Sequence, residues 1–261
     1  MQVSVFNPTE QINGLHLRQA IDEEYSRLAC DPESKFHFVT GWDLIEILDY
    51  DIGLLSGIPA SAVQRFAGVG NPFALGLPNP GERVLDIGSG GGMDALIAAK
   101  LTGPQGWVTG IDITEGMVEA ARENADMAGI DNVRFLHGAA ESIPLPDHYV
   151  DLIISNGVIN LCLDKVKVFG EMYRVLKPGG RIQIADVILF EPVGDRSKNV
   201  AQLWTNCVAG ASLMFDYRAM LMAAGFADVR FEACYDVFST APVASSASRY
   251  GAMGWNIRAH I

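Results

Sequence analysis

The residues best suited to chemistry in this 261-residue chain lie in VLDIGSGGGMD, Val84 to Asp94, where a short apolar run gives way to a helical pattern. Glycines stand at 88, 90, 91 and 92, and Asp86 precedes the first of them by two positions. Glycines at such a junction allow a tight turn and let a ligand touch the backbone where a Cβ would otherwise intervene. An ordinary strand–helix turn does not need four. A dinucleotide fingerprint, G-x-G-x-x-G/A, would carry its third small residue at position 93, where this chain has Met93. The pattern is instead Asp86-x-Gly88-x-Gly90-x-Gly92, a loop for close backbone approach by a ligand with no pyrophosphate to neutralise.

A second carboxylate, Asp112, ends GWVTGID, twenty residues beyond Gly92. An acid at the tip of the second strand is placed to take ribose hydroxyls. Asp112-Ile113-Thr114-Glu115 also reads as a helix cap, and the pairing with the glycine loop favours the ribose. Gly138-Ala139-Ala140-Glu141 follows the next strand and either lines an adenine or is a simple turn. ISNGVINLC, 154–162, raises a further question: an apolar run stops at Ser155-Asn156-Gly157, resumes, and ends in Cys162. Ligands of open parallel sheets bind outside the carboxyl ends of the strands. The interruption therefore reads as a pocket wall, with a polar side chain at Asn156 to hold a ligand and Gly157 leaving room beside it.

These segments need a framework. Residues 83–88, 107–112, 132–138, 150–156 and 181–190 read as strands, separated by the helical patterns MDALIAAKL, EGMVEAARENADMAG and DKVKVFGEMYRVL. Gly129 closes the second helix and Lys177-Pro178-Gly179-Gly180 stops the third. Such alternation predicts a parallel sheet covered by helices on both faces. Ahead of it, LRQAIDEEYSRLA, TGWDLIEILDYD and SAVQRFA read as a helical cap over 1–75, bounded by the Gly/Pro-rich stretch 68–82. Residues 76–195 form the core. The remainder, 196–261, reads as one helix over 198–225 followed by two short strands that close the sheet as an antiparallel edge hairpin.

Composition bounds the partners. With 49% hydrophobic and 19% charged residues the chain can build a sizeable core. A net charge of −12 with no compensating Lys/Arg cluster argues against nucleic acid or an anionic membrane as a partner. The N-terminus lacks the basic-then-apolar pattern of a secretory signal, and no run approaches the roughly 18 apolar residues of a membrane span. Cys30, Cys162, Cys207 and Cys234 are far apart and form no C-x-x-C pair, which argues against a metal knuckle and for thiols in a reducing cytoplasm. The five histidines include no evident base pair; His137 and His148 read as solvent-facing.

VLDIGSGGG, GIDIT, HGAAESIPLPDHYVD and VLKPGGRI resemble the motifs of class I S-adenosylmethionine-dependent methyltransferases, over the central half or more of the chain. The resemblance implies a seven-stranded, doubly wound, mostly parallel Rossmann-like α/β sheet with one antiparallel strand. It implies S-adenosylmethionine as cofactor and a small molecule as methyl acceptor. It places Asp86, Gly88, Ser89, Gly90, Asp112, Ile113, Met117, Ala140, Glu141 and Asn156 in the cofactor pocket.

SNGVINLCLDK, VFGEMYRVLKPGGRIQIADV, FAGVGNPF and NCVAGA are similar to the arsenite methyltransferase branch. That branch holds trivalent arsenic on cysteines at three of these places, where this chain has Val69, Gly157 and Cys207. One thiol of three is kept. Cys162, five residues beyond Gly157, is the second candidate ligand if its loop turns back. A thiol, a phenol or a quinone-like ring is the alternative acceptor. A protein that binds the cofactor without transferring its methyl is the alternative function.

Overall fold

The computed structural model describes residues 14–193, 204, 207–239 and 244–261. Helices α1 (Gly14–Cys30), α2 (Gly41–Ile47) and α3 (Ala60–Gln64) precede strand β1 (Arg83–Ile87). The alternating region follows as α4 (Met93–Thr102), β2 (Trp107–Asp112), α5 (Glu115–Ala128), β3 (Val133–His137), β4 (Val150–Asn156), α6 (Lys165–Val175) and β5 (Leu176–Leu189). A two-residue strand β6 (Ser212–Leu213) leads into α7 (Met214–Ala224), then β7 (Ala227–Tyr235), α8 (Ala244–Tyr250) and β8 (Met253–His260).

The strands form one sheet in the order β3-β2-β1-β4-β5-β8-β7, with β6 pairing only to β5. β1 through β5 are parallel, and β8 runs antiparallel between β5 and β7. The doubly wound sheet with one antiparallel strand is as expected, and β6 adds an eighth strand. The antiparallel strand lies inside the sheet rather than at its edge. β7 is the edge, and α8 lies between the two in the chain, so they do not make a tight hairpin.

Strands buried on both faces need near-continuous apolar runs, which β4 has at Leu152–Ile154 and β1 has at Val84, Leu85 and Ile87, broken by Asp86. α4 is apolar nearly all round and buried from Met93 to Ala99, as suits a helix between the sheet and the N-terminal segment. Leu44, Leu48, Val63 and Phe66 of that segment share one core with Val84, Leu96 and Ile154. α5 ends at Gly129 in a left-handed conformation (φ 63°, ψ 36°), as its sequence requires. The order reverses between β1 and β4, so the crevice of this sheet lies past Ile87 and Asn156.

The helix expected over 198–225 is interrupted. Residues 194–203, 205, 206 and 240–243 lie outside the described set. Cys207 occupies a turn, with φ 61° and its N–H donating to the Trp204 carbonyl, and α7 begins only at Met214. The turn lets Gly210 press against the Asn160 carbonyl, where a Cβ would come within 2.1 Å. No helix among the described residues is long and apolar enough to cross a membrane.

Candidate active site

The glycine loop is braced at every step. The N–H groups of Gly88 and Ser89 both donate to the Ile111 carbonyl at the end of β2, at 2.8 and 2.9 Å. The N–H of Gly90 donates to Asp112 Oδ2 at 2.8 Å, and Asn124 Nδ2 donates to the Gly91 carbonyl at 2.8 Å. Gly88, Gly90 and Gly92 have φ of 72°, 49° and 90°, which L side chains rarely adopt. At Gly88 a Cβ would lie 2.1 Å from Val158 Cγ2, so the glycine is needed for packing. At Gly90 a Cβ would meet nothing within 4 Å, so this glycine keeps open space.

That space is a cleft of about 1150 Å³, counting volume open to solvent. All the expected cofactor residues line it except Met117. Met117 is 1% exposed and packs with Leu28 and Ala29, holding α1 against α5 beside the cleft. Three polar atoms in the cleft wall are buried without a partner among the described residues: Asp86 Oδ2, Ser89 Oγ and Thr114 Oγ1. Buried polar groups are nearly always paired, so three orphans on one wall mark where a ligand supplies donors and acceptors.

Three carboxylates converge here. Burial pushes Asp86 well above the ordinary carboxyl value, and the charges of Asp94 and Asp112 push it the same way. Burial lifts Asp94 to about 6, against hydrogen bonds from Asn156 and Tyr50 that favour its charge. Burial also raises Asp112, opposed by the N–H groups of Thr114 and Gly90. Within the cleft wall Arg65 is committed to the carbonyls of Ala29 and Ser61. Such a wall favours a cation.

At the end of β4, Ser155 is buried with its hydroxyl on the Ile87 carbonyl (2.9 Å), tying β4 to β1. Asn156 lines the cleft, but its amide is fully engaged by protein. Oδ1 accepts the N–H groups of Val69 (2.8 Å) and Gly70 (3.2 Å), while Nδ2 donates to the Gly70 carbonyl, Tyr50 Oη and Asp94 Oδ2. Tyr50 Oη in turn donates to both oxygens of Asp94, at 2.9 and 3.1 Å. Asn156 therefore shapes the wall by holding the 68–70 backbone. No spacing rule points to Tyr50, or to its bond with Asp94 at the end of the glycine stretch, a contact between residues 44 positions apart.

α1 roofs the cleft with Leu17, Arg18, Ile21 and Tyr25 on one face. Arg18 reaches Glu141 at 3.6 Å across the mouth, so Glu141 already has a counter-ion in the roof. Across from it, Leu161, Cys162 and Leu163 extend the wall past a short turn at Ile159–Leu161.

The two candidate cysteines line different cavities. Cys162 faces the main cleft, its thiol 3.6 Å from the Val158 carbonyl and pushed up to about 12 by burial, with Glu141 adding to the rise. Cys207 lines a smaller cavity with Val69, Phe38, Leu44, Val237 and Phe238. Burial pushes its thiol up to about 12 as well, opposed by a hydrogen bond with Asn160. Tyr25 and Ala67 line both cavities, so they form the partition. A Cβ on Gly157 would lie 3.4 Å from Val69 Cγ1. Val69 thus lies beside Gly157 and shares a cavity with Cys207, whereas Gly157 and Cys162 line the main cleft.

The family model described as a methyltransferase domain matches residues 78–225, which run from before β1 through α7. The chain belongs to the methyltransferase-domain family. S-adenosylmethionine is the methyl donor of this family, and the cleft fits it: orphaned acceptors for an ammonium and hydroxyls, three acids, and open space at Gly90.

The chain is 43% identical over 181 residues to an arsenite methyltransferase of Halobacterium salinarum, covering 69% of this chain and 46% of that one. It is 38% identical over 106 residues to a demethylmenaquinone methyltransferase of Listeria monocytogenes, covering 41% and 45%. Among solved structures it matches an arsenic(III) S-adenosylmethionine methyltransferase from Chlamydomonas reinhardtii with a TM-score of 0.70 and 34% identity, covering 80% of this chain and 72% of that one. The chain spans about half the length of the curated relatives it matches.

Proposed function

We propose that this chain binds S-adenosylmethionine in the cleft under the glycine loop and transfers its methyl group to a small-molecule acceptor. The unpartnered Oδ2 of Asp86, buried beside Gly88, carries the reading. It is a buried carboxyl oxygen left for a ligand, in a wall that already holds two other acids. Asp86 and Asp94 offer negative charge to the cofactor's cationic end. Asp112, with one oxygen on Gly90 and the other on Thr114, keeps further lone pairs for ribose hydroxyls. Ala140 and Glu141 close the adenine side.

The cofactor, when bound, supplies a methyl on a cationic sulfur whose departure leaves a neutral thioether. The protein's task is then alignment and exclusion of water. α1 supplies the roof, and the 67–70 loop held by Asn156 supplies the wall facing the acceptor. A soft lone pair or a thiolate needs no general base, whereas an oxygen or carbon acceptor usually does.

For the acceptor we favour a soft centre of the trivalent-arsenic kind, presented from the cavity of Cys207. The similarity to arsenite methyltransferases supports it, as does Val69, which shares a cavity with Cys207 and lies beside Gly157. The apolar, aromatic lining of that cavity favours a second reading, an organic ring such as the quinone-like acceptor named for the Listeria relative. Exposed thiols at Cys30 and Cys234, outside any disulfide, support a reducing, cytoplasmic setting.

Transfer of a labelled methyl group to arsenite, with a reducing thiol present, tests the reading in wild type, Cys207→Ser and Cys162→Ser. Methylated arsenic lost in Cys207→Ser and kept in Cys162→Ser is the expected result. Product that is indifferent to Cys207 contradicts the arsenic site. Absence of arsenic product, with transfer to a ring acceptor, establishes the second reading.

A further inference from the structure

The segment Ala67–Asn71 runs from the partition at Ala67 along the Cys207 cavity, and two asparagines hold it, Asn156 at its middle and Asn256 at its end. Asn156 takes the N–H groups of Val69 and Gly70, as described above. The other anchor is Asn256, 0% exposed on β8, whose Oδ1 accepts the Asn71 N–H at 2.9 Å. Its Nδ2 reaches Tyr235 Oη at 3.3 Å on the neighbouring strand β7. The sequence separation is 185 residues.

The packing around this anchor has no slack. A Cβ on Gly70 would lie 2.6 Å from Asn256 Oδ1 and 2.8 Å from the Ala185 Cβ. A Cβ on Gly254, two residues before Asn256, would lie 1.7 Å from the Val69 carbonyl oxygen. β8 therefore touches the loop backbone directly. Next to this contact, Val69 forms the wall of the Cys207 cavity and Ala67 lines both cavities.

We infer that Asn256 is a positioning residue for methyl transfer: by holding the Asn71 N–H it fixes the partition loop, and so sets where an acceptor in the Cys207 cavity stands relative to the cofactor. The inference rests on the function proposed above. Asn256 touches neither cavity; it acts through the loop. Removing its oxygen leaves a buried N–H at Asn71 without an acceptor, and such a loss frees the segment that depended on it.

Cysteine labelling tests this without any acceptor. The intact chain is treated with iodoacetamide in wild type, Asn256→Leu and Asn256→Asp, and modification at each cysteine is followed by mass spectrometry. Cys207 sits behind the loop, Cys162 faces the other cavity, and exposed Cys30 serves as the reference. Asn256→Leu is expected to raise the rate at Cys207 about tenfold, leaving Cys162 and Cys30 within twofold. Asn256→Asp keeps an acceptor for the Asn71 N–H and is expected to stay near wild type. Binding of S-adenosylhomocysteine should change less than twofold in both.

An unchanged Cys207 rate overturns the inference. So does a rise at Cys162 and Cys207 together, which reports general loosening. With any acceptor that wild type methylates, Asn256→Leu should lower kcat or raise the acceptor KM, leaving the cofactor KM unchanged. If wild type transfers no methyl group, the functional reading fails, and the labelling pattern still decides whether Asn256 fixes the loop.

Discussion

Asp112 Oδ2 accepts the N–H of Gly90 at 2.8 Å while its Oδ1 accepts the N–H of Thr114 at 2.9 Å. One side chain thus braces the glycine loop, holds the backbone of Thr114 just ahead of α5 and forms part of the cleft wall. Asp112→Asn keeps the shape but replaces one accepting oxygen with an amide donor facing a backbone N–H. The expected outcome is at least tenfold weaker binding of S-adenosylhomocysteine, about 1.4 kcal/mol. Titration calorimetry reads it directly.

The cleft should make stability and binding depend on pH in opposite senses. Burial lifts Asp94 from 3.8 to about 6, so between these values the folded state holds a proton that the unfolded chain has released. Unfolding free energy of the cofactor-free protein should therefore fall as pH rises from about 4 to about 6. Asp186, buried between β5 and α7 and also lifted to about 6, adds to the same trend. Affinity for S-adenosylhomocysteine should rise over that window as the wall ionises, then level off. In Asp94→Asn that rise should shrink. A flat affinity profile in wild type would remove these acids from the binding site.

Two glycines of the loop should separate folding from binding. Gly88→Ala adds a Cβ against Val158 at φ 72° and is expected to cost about 3 kcal/mol of stability through overpacking and strain. Gly90→Ala places its methyl in open space at φ 49°, and its stability cost is expected near 1 kcal/mol. Its effect on S-adenosylhomocysteine binding should nevertheless be tenfold or more, because the methyl enters the cleft. Chemical unfolding and calorimetry on the same samples check both.

Val69 and Cys207 line one cavity, so Val69→Cys supplies a second thiol where one soft ligand already stands. Arsenite is expected to raise the melting temperature of Val69→Cys more than that of wild type, since binding to the folded state alone stabilises it. Adding Cys162→Ser to this variant should not reduce the effect. An arsenite response that depends on Cys162 would move the site to the main cleft.

Much of this was legible in the sequence, and the reasons differ from part to part. The glycine loop, Asp112 and the ends of β1, β2 and β4 were readable because each is a local pattern: glycines where φ turns positive, an acid at a strand tip, an apolar run broken by polar residues. The helix over 198–225 misled because apolar spacing continues through Cys207 to Ala211, while the chain turns there to seat Gly210 on Asn160. Tyr50 on Asp94 and Asn256 on Asn71 join segments far apart in sequence, and no spacing rule connects them. Asn156 lines the cleft at a strand end, a position that the broken apolar run marks. What its amide holds depends on the path of residues 68–70, which only the packed fold determines.

The most direct test of the central claim is calorimetric titration of S-adenosylhomocysteine and, separately, NAD into wild type and Asp86→Asn. Binding of S-adenosylhomocysteine alone to wild type, weakened at least tenfold in Asp86→Asn, is the expected result. Equal binding to both proteins, or binding of NAD in its place, would contradict the assignment of this cleft.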